Sequence, residues 1–276
     1  MKGLGPQFDA LHRSLEGCRP AAIALSGGVD SMTLAYIAHQ RLAADVAMFH
    51  AVSPAVPASA TDRVKAYAAR EGWALTVLDA DEFADERYMA NPANRCFFCK
   101  SNLYGTLTSV TERQLLSGTN LDDLGDWRPG LKAAKAEGVR HPFVEAEIDK
   151  TTVRRLAAHF GLNDLAELPS APCLSSRIET GLRIDPVLLP VIDQIEILLR
   201  ERMKPETVRC RLRKGGVVIE LDDRAMTALD EPARRGLVDE IEAILDDHDL
   251  ARPVTFETYR QGSAFLRDQN RPLSSD

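Results

Sequence analysis

Short apolar runs alternate with amphipathic stretches from Arg19 to about Leu168. The apolar runs predict four strands, at Ala21–Leu25, Val46–Val52, Trp73–Leu78 and Gln114–Ser117. Helical periodicity between them predicts helices over Asp30–Leu42, Thr61–Arg70 and Lys100–Val110. Strands that alternate with helices of this length imply right-handed crossovers and a parallel sheet covered on both faces. We therefore predict a doubly wound α/β domain over residues 1–168.

A segment without a clear period, residues 169–185, follows this half of the chain. It lies between Pro169 and Pro186 and is predicted to be a linker loop. The pattern beyond it predicts a small α+β domain over residues 186–268 and a polar tail over 269–276. The predicted elements of this domain are two helices, Val187–Arg202 and Ala233–Leu245, and three strands, Thr207–Arg213, Val217–Leu221 and Val254–Thr258.

Length and composition agree with two globular domains. The chain has 276 residues, 45% of them hydrophobic and 27% charged, which excludes a wholly disordered or collagen-like chain. Its 34 Lys and Arg against 41 Asp and Glu give a net charge of -7, which argues against a surface that coats nucleic acid. We expect a cytoplasmic protein without a membrane segment, since no apolar stretch approaches the ~18 residues of a membrane span and the first residues lack a secretory core.

The first predicted strand runs into Ser26-Gly27-Gly28-Val29-Asp30-Ser31 and then into a helix. Two glycines allow a sharp turn that aims successive N–H groups and the helix N-terminus at one anion. No GK[ST] follows, so the loop is not a Walker A motif. A tight turn would explain an isolated Gly-Gly equally well, but the strand–loop–helix context favours a phosphate-binding loop.

Two further segments fit a nucleotide site. Gly118, Asn120 and Asp123 follow the fourth strand, at the carboxyl edge of the sheet where open α/β folds bind ligands. An Asn/Asp-rich turn is the alternative for this segment, and Asp122 is a second candidate carboxylate. Lys150, near the start of a helix, is either a phosphate ligand or a solvated lysine.

The chain has five cysteines, an odd number that disfavours a disulfide framework. Cys96 and Cys99 form a CxxC, which on its own fits a redox pair, half of a zinc site or part of an iron–sulfur site. Cys173 lies four residues before Arg177, and a nearby guanidinium favours a nucleophilic thiolate, although a loop cysteine without a role is as common. Cys18 and Cys210 are interpreted as structural.

Several motifs resemble known families. Ser26–Ser31 resembles the loop of the PP-loop ATP pyrophosphatase superfamily. Four further motifs follow in the order seen in LarE-type ATP-dependent sulfur transferases. They are NRCFFCK, DWRPGLKAAKAEGVRHP, the Lys150 helix and PCLSSRIETG. This resemblance covers the chain from Leu15 to about Leu221.

The resemblance implies synthesis of the nickel-pincer nucleotide cofactor. The family uses Mg-ATP to adenylate a carboxylate of pyridinium-3,5-biscarboxylic acid mononucleotide, releases pyrophosphate, and inserts sulfur to give the thiocarboxylate. In one branch a cysteine matching Cys173 gives up its own sulfur. In a three-cysteine branch, which Cys96, Cys99 and Cys173 match, the thiolates hold a [4Fe-4S] cluster that takes up sulfide from a donor.

The resemblance also assigns ligands to the nucleotide loop and to the second domain. By this resemblance, nine residues would bind ATP, and two of them, Asp30 and Asp123, would lie near Mg²⁺. The nine are Ser26, Gly27, Gly28, Asp30, Ser31, Gly118, Asn120, Asp123 and Lys150. Arg209 and Arg211 alternate with Cys210 on a predicted strand, where an anion or solvent must screen their charge. We expect Arg209, Arg211 and Arg177 to bind the substrate phosphate, with a metal role for Glu196 and Glu220, in a homo-oligomer. Solvated side chains are the alternative.

Three other functions fit parts of the sequence. A tRNA thiolase shares the loop and the cysteine pattern but usually adds an RNA-binding module. An amide ligase of the NAD-synthetase kind leaves the three cysteines unexplained. A nucleotide-binding regulatory module would have no turnover. One departure from the family concerns the segment Pro57–Val64, where the acidic residues expected before the helix for adenosine contacts are absent.

Overall fold

The computed structural model describes residues 5–125, 129–260 and 262–263. Asp126, Trp127 and Arg128 of the DWRPG motif, and the predicted tail 269–276, lie outside them. The chain divides into two compact units, one formed by Met1–Asp85 and Asn94–Ala171 and the other by Glu86–Ala93 and Pro172–Asp276. The short excursion Glu86–Ala93 therefore belongs to the second unit, although the hydrophobic pattern placed it within the first domain.

The first unit is built on a four-stranded parallel sheet. Its strands are β1 (Ala21–Leu25), β2 (Val46–Val52), β3 (Leu75–Asp79) and β4 (Gln114–Leu116). All four predicted strands are confirmed, and the bounds of β1 and β2 agree with the prediction. The spatial order is β3-β2-β1-β4, so the chain first builds the sheet to one side of β1 and then crosses to the other side. This order is compatible with a doubly wound α/β fold.

Helices accompany these strands along the chain, and four of those described here lie in the crossovers that the parallel sheet requires. They are α1 (Pro6–Glu16), α2 (Val29–Leu42), α3 (Ala58–Glu71), α4 (Glu86–Met89), α5 (Arg95–Val110), α6 (Gly130–Ala136), α7 (Pro142–Glu145), α8 (Lys150–His159) and α9 (Asn163–Ala166). Of these, α4 belongs to the second unit. The sequence pattern did not predict α1, α4, α6, α7 or α9, of which α4, α7 and α9 are single turns.

Both faces of the sheet are covered, because successive side chains of a strand point to opposite sides. Ala21, Ile23 and Leu25 of β1 lie in a core cluster with side chains of α1, α2 and α8. Ala22 lies in a second cluster with residues of α5, among them Tyr104 and Leu107. The central strand is therefore buried on both sides, as its continuous apolar run predicts.

The second unit is a small α+β structure. It contains α10 (Leu188–Met203), β5 (Val208–Arg213), β6 (Gly216–Leu221), α11 (Asp223–Ala228), α12 (Glu231–Asp246) and β7 (Val254–Thr258). The three strands form a sheet in the order β5-β6-β7, with β5 antiparallel and β7 parallel to β6. Within the predicted linker loop, Leu174–Arg177 forms one 3-10 turn. Across the described ranges, no helix combines the length and apolar character needed to cross a membrane.

Candidate functional site

The loop between β1 and α2 is held by its own serines. Ser31 Oγ accepts a hydrogen bond from the backbone N–H of Ser26 at 3.1 Å and lies 3.0 Å from Ser26 Oγ. It also donates to the carbonyl of Gly28 at 3.3 Å. Gly28 is the N-cap of α2 and provides no side-chain acceptor for the first N–H groups of the helix. Those N–H groups are the kind of donors that bind an anion at a helix start.

Gly27 is required at its position for two reasons. Its φ of +75° lies in the left-handed region, where a side chain strains the backbone. A Cβ there would also lie 2.7 Å from the carbonyl oxygen of Ala60 in α3. Arg63, also in α3, donates from Nη1 to the carbonyl of Gly27 at 2.8 Å. The loop between β1 and α2 therefore packs against α3, which fixes its conformation.

Side chains from three separate segments meet at the start of α2. Asn120, which follows β4, donates from Nδ2 to Asp30 Oδ1 at 3.1 Å. Lys150, the first residue of α8, forms an ion pair with the other carboxylate oxygen of Asp30. Its backbone N–H also donates to Asp122 Oδ2 at 3.2 Å. The structure thus brings together Asp30, Asn120 and Lys150, which the sequence singled out separately.

This convergence lies at the topological switch point of the sheet. The loop after β1 and the segment after β4 leave the carboxyl ends of neighbouring strands whose connections run in opposite directions. Ligands of open α/β sheets bind in the crevice that such a reversal opens. A partly exposed lysine and the donors of a helix start face this crevice, so the site can bind an anion.

The turn after β4 is stabilised by a capping box. Asn120 Oδ1 accepts from the N–H of Asp122 at 3.0 Å, and Asp123 Oδ2 accepts from the N–H of Asn120 at 3.1 Å. The role of Asp123 in this structure is therefore to hold the turn that positions Asn120. Its predicted contact with Mg²⁺ stays a prediction.

Gly118→Ala should destabilise the first unit by about 1–3 kcal/mol, because overpacking against backbone cannot relax cheaply. A Cβ at Gly118 would lie 2.6 Å from the backbone nitrogen of Ser31. Thermal unfolding followed by circular dichroism measures the effect. Gly105→Ala, within α5, is the matched control, since a Cβ there meets nothing within 4 Å. Equal melting temperatures for Gly118→Ala and the wild type would show that the two loops do not touch.

Three further residues at this edge of the sheet escaped the sequence analysis. His50, at the end of β2, donates from Nδ1 to the carbonyl of Leu25 at 3.0 Å, and Nε2 lies 2.9 Å from Thr61 Oγ1. Burial lowers the pKa of His50, so it is neutral and Nε2 can accept. His141 Nδ1 lies 2.7 Å from Ser117 Oγ, and burial lowers its pKa too. With Arg63, these residues fix the loops, a role that no short motif signals.

The cysteines fall into two groups by exposure. Cys96 and Cys99 lie three residues apart near the start of α5, on one face of the helix, and both are partly exposed. Cys173 belongs to the second unit and is exposed. Cys18 and Cys210 are buried, and burial raises the pKa of each thiol. Within its described residues, neither unit by itself groups three His, Cys, Asp or Glu side chains that could hold a metal. The ligand role of Cys96, Cys99 and Cys173 stays a prediction.

A buried ion pair holds the loop that carries Cys173. Arg177 and Glu196 form a bidentate ion pair, in which Nε donates to Oε1 at 2.9 Å and Nη2 donates to Oε2 at 3.0 Å. Their side chains are 1% and 0% exposed. Arg177 Nη1 also donates to the carbonyls of Pro172 at 2.5 Å and Cys173 at 3.2 Å. Burial raises the pKa of Glu196, but the hydrogen bonds and charge of Arg177 outweigh it, so the net pKa is lowered. Arg177 is thus a positioning residue for the Cys173 backbone.

The arginines of β5 are screened by carboxylates of their own unit. Arg211 Nε donates to Glu220 Oε2 at 3.0 Å, and Arg213 Nη2 donates to Glu220 Oε1 at 2.7 Å. Both faces of β5 are covered, with Arg209 9% and Arg211 4% exposed, so the expected solvated face does not exist. Burial, together with the charge of Arg177, lowers the pKa of Arg209.

The predicted site residues of the second unit contact one another. The carboxylate of Glu220 contacts two arginines of the row, Arg211 and Arg213. Glu196 and Glu220 in turn point their oxygens at guanidinium groups. The phosphate roles expected for Arg177, Arg209 and Arg211 and the metal roles expected for Glu196 and Glu220 stay predictions.

The structure is that of an α/β protein in which polar side chains from three segments meet at the switch point of a parallel sheet. No family model matches the chain. The chain is 38% identical over 205 residues to uncharacterized protein slr1717 of Synechocystis, a match that covers 73% of this chain and 76% of the relative. The chain therefore belongs to the family of that protein.

Two more distant relatives extend the comparison. The chain is 27% identical over 213 residues to uncharacterized protein MJ0830 of Methanocaldococcus jannaschii, covering 76% of this chain and 80% of the relative. It is 28% identical over 228 residues to the pyridinium-3,5-bisthiocarboxylic acid mononucleotide synthase of Lactiplantibacillus plantarum, covering 81% and 82%. That relative is named as a synthase, and the similarity spans most of both chains.

Proposed function

We propose that this protein is an ATP-dependent sulfur transferase that converts a carboxylate of pyridinium-3,5-biscarboxylic acid mononucleotide to a thiocarboxylate. The observation that carries the proposal is the meeting of Asp30, Asn120 and Lys150 at the start of α2. The named synthase at 28% identity supports the substrate class. The PP-loop resemblance of Ser26–Ser31 supports ATP as the activating nucleotide.

The reaction has two balanced steps. A carboxylate oxygen of the acceptor attacks the α-phosphorus of ATP, the bond to the bridging oxygen breaks, and pyrophosphate leaves. A sulfur nucleophile then attacks the acyl carbon and AMP departs with the former carboxylate oxygen. Neither step requires a strong base, because AMP is a good leaving group and sulfide or thiolate is already strongly nucleophilic. Binding and charge stabilisation are therefore the main tasks of the protein.

The loop residues fit the first step. The N–H groups at the start of α2 bind the departing phosphates, and Lys150 neutralises charge that develops as pyrophosphate leaves. Asn120 holds Asp30 in place through the 3.1 Å hydrogen bond between them. Mg²⁺ usually binds through one or two carboxylates plus substrate phosphates, and Asp30 offers such a carboxylate at the edge of the site.

Lys150→Met should reduce acceptor-dependent pyrophosphate release by about tenfold or more, since a hydrogen bond to a charged group contributes ~1.5–3 kcal/mol. The assay couples pyrophosphate release to a colorimetric readout at saturating Mg²⁺. Lys135→Met, an exposed lysine on α6, is the matched control and should leave the rate unchanged. A Lys150→Met rate equal to that of the wild type would remove Lys150 from the phosphate site.

For the second step we propose that Cys96, Cys99 and Cys173 hold a [4Fe-4S] cluster, which would present an added sulfide to the activated carbon. Three thiolates leave one iron of such a cluster open. The partial exposure of Cys96 and Cys99 and the full exposure of Cys173 fit ligands that a cofactor can reach.

Anaerobic purification followed by iron and sulfide analysis tests the cluster. About four irons per chain, with Cys173 intact by mass spectrometry after turnover, is the expected result. Loss of the sulfur of Cys173 in an iron-free protein would instead establish the sacrificial route. In either case the product carries the mass change of one oxygen replaced by sulfur.

A further inference from the structure

One ion pair occupies both charged groups that the proposed activation step uses. Lys150 Nζ contacts Asp30 Oδ2, and the two side chains are 33% and 25% exposed. Lys150 is the ammonium assigned to the departing phosphates, and Asp30 is the carboxylate offered to Mg²⁺. Each of these two groups therefore already has a partner of opposite charge within the protein.

The carboxylate of Asp30 is held in this position from its other side. Asn120 Nδ2 donates to Asp30 Oδ1 at 3.1 Å, so one oxygen faces Asn120 and the other faces Lys150. Asn120 is buried and is itself fixed by the capping box of the turn after β4. Because both oxygens have partners, the carboxylate is restricted in rotation and stays within reach of the ammonium.

Further carboxylates lie next to this ion pair, at the start of α8. Asp122 Oδ2 accepts from the backbone N–H of Lys150 at 3.2 Å, and Asp149 Oδ1 accepts from the N–H of Thr152 at 2.7 Å. Gly28, by contrast, gives the donors at the start of α2 no side-chain acceptor. An anion that approaches α2 therefore meets N–H donors that can bind it together with carboxylates that repel it.

A free anion and its magnesium complex differ in how they interact with Asp30. The free anion competes with Asp30 for Lys150 and is repelled by the carboxylate at short range. The magnesium complex presents a cation, and Mg²⁺ binds carboxylate oxygens and substrate phosphates together. Mg²⁺ on Asp30 offsets the repulsion, and the phosphates can then take the ammonium. The same carboxylate thus opposes one ligand and favours the other.

We propose that Asp30 is a specificity residue, which makes the phosphate site select magnesium-bound polyphosphate over free phosphate, sulfate or pyrophosphate. It competes with free anions for Lys150 and takes up the Mg²⁺ of the correct complex. This inference rests on the proposed function, which places the phosphates of ATP at the start of α2. It adds that the nucleotide binds as its magnesium complex and that the competing free anions are kept out.

Isothermal titration with inorganic pyrophosphate, with and without Mg²⁺, tests the role of Asp30 without any need for turnover. In D30N the amide keeps an oxygen for Asn120 but loses the charge that holds Lys150. Metal-free pyrophosphate should therefore bind D30N about tenfold more tightly than the wild type, as expected for a charged hydrogen bond. The double variant K150M/D30N should lose this gain, since the gain depends on the freed ammonium.

The preference for the magnesium complex is the second readout of the same titrations. The wild type should bind pyrophosphate at least about tenfold more tightly with Mg²⁺ than without it, because Mg²⁺ replaces a repulsion by an attraction. D30N should lose most of this preference. Thermal unfolding shows whether each variant is folded, and D30S, which is well tolerated at a helix start, replaces D30N if D30N does not fold.

D45N is the matched control. Asp45 is exposed and precedes β2, at the edge of the parallel sheet opposite the phosphate site, so D45N removes the same charge from a distant position. Its affinity for pyrophosphate, with or without Mg²⁺, should equal that of the wild type at physiological ionic strength, where charges are screened over ~8 Å.

Two results would overturn the inference: equal affinity of the wild type and D30N for metal-free pyrophosphate, or a gain in D45N as large as that in D30N. Acceptor-dependent AMP formation, measured separately, distinguishes this inference from the proposed function. If AMP forms with the acceptor while D30N shows no gain, the proposed function stands and Asp30 does not select the ligand. If D30N shows the gain while no AMP forms, Asp30 selects the ligand of a polyphosphate site that serves another reaction.

Discussion

Cys173→Ser should lower sulfur transfer by at least about a hundredfold while acceptor-dependent pyrophosphate release continues, because a hydroxyl neither donates sulfur nor replaces a thiolate ligand. The substitution is nearly isosteric and the side chain is exposed, so the fold should not change. Product thiocarboxylate is measured by mass spectrometry, and pyrophosphate is measured in the same reactions. The two readouts separate the sulfur step from the activation step.

Cys18→Ala is the control for Cys173→Ser. Cys18 is a buried thiol that donates from Sγ to the carbonyl of Ser14 at 3.1 Å, and it should be dispensable for both readouts. Cys96→Ser provides a further comparison, since loss of sulfur transfer and of iron in that variant accompanies the cluster route. Sulfur transfer by Cys173→Ser at the wild-type rate would remove Cys173 from the chemistry.

Glu196→Gln should reduce the free energy of unfolding of the protein by about 3–5 kcal/mol, because it leaves the buried guanidinium of Arg177 without its counter-charge. Glu196 is 0% exposed and also accepts from the N–H of Cys210 at 3.0 Å, so no solvent compensates the loss. Urea unfolding followed by circular dichroism gives the free energy. If the variant is insoluble, the soluble fraction on expression replaces the titration.

Arg200→Ala is the matched comparison for Glu196→Gln. Arg200 contacts the same carboxylate, Nη2 to Oε2 at 2.7 Å, but its side chain is 44% exposed, so its loss should cost ~0–1 kcal/mol. A cost for Arg200→Ala as large as that of Glu196→Gln would contradict the role given to burial.

The same ion pair predicts acid sensitivity. The folded-state pKa of Glu196 lies below its ordinary value of 4.5, so the pair stabilises the fold fully above about pH 4.5. That stabilisation is lost as the pH falls through the lower folded-state pKa. The wild type should therefore lose more stability than Glu196→Gln between neutral and acidic pH, which urea unfolding at several pH values measures.

The sequence predicted the parts of the fold that depend on local patterns. Continuous apolar runs identified β1 and β2 to the residue, because a central parallel strand is buried on both faces. Ser26–Ser31 and Lys150 stood out for their residue types and positions. The structure added the contact between them, through Asp30, which no local pattern encodes.

The sequence could not predict the parts that depend on distant pairing. Alternation in β5 placed the arginines on one face, but it could not show that Glu220 of the neighbouring strand would contact two of them. Glu86–Ala93 carries no signal for membership of the second unit, since its contacts to residues 175–184 lie more than eighty positions away along the chain. Exposed functional charges and buried ion pairs look identical in a single sequence.

The measurement that tests the central claim most directly is phosphorus NMR of ATP incubated with the protein, Mg²⁺ and pyridinium-3,5-biscarboxylic acid mononucleotide. The account predicts AMP and pyrophosphate in equal amounts, formed when the acceptor is added and strongly reduced in Lys150→Met. Formation of ADP and phosphate, or AMP formation that ignores the acceptor, would contradict activation of a carboxylate at the switch-point site.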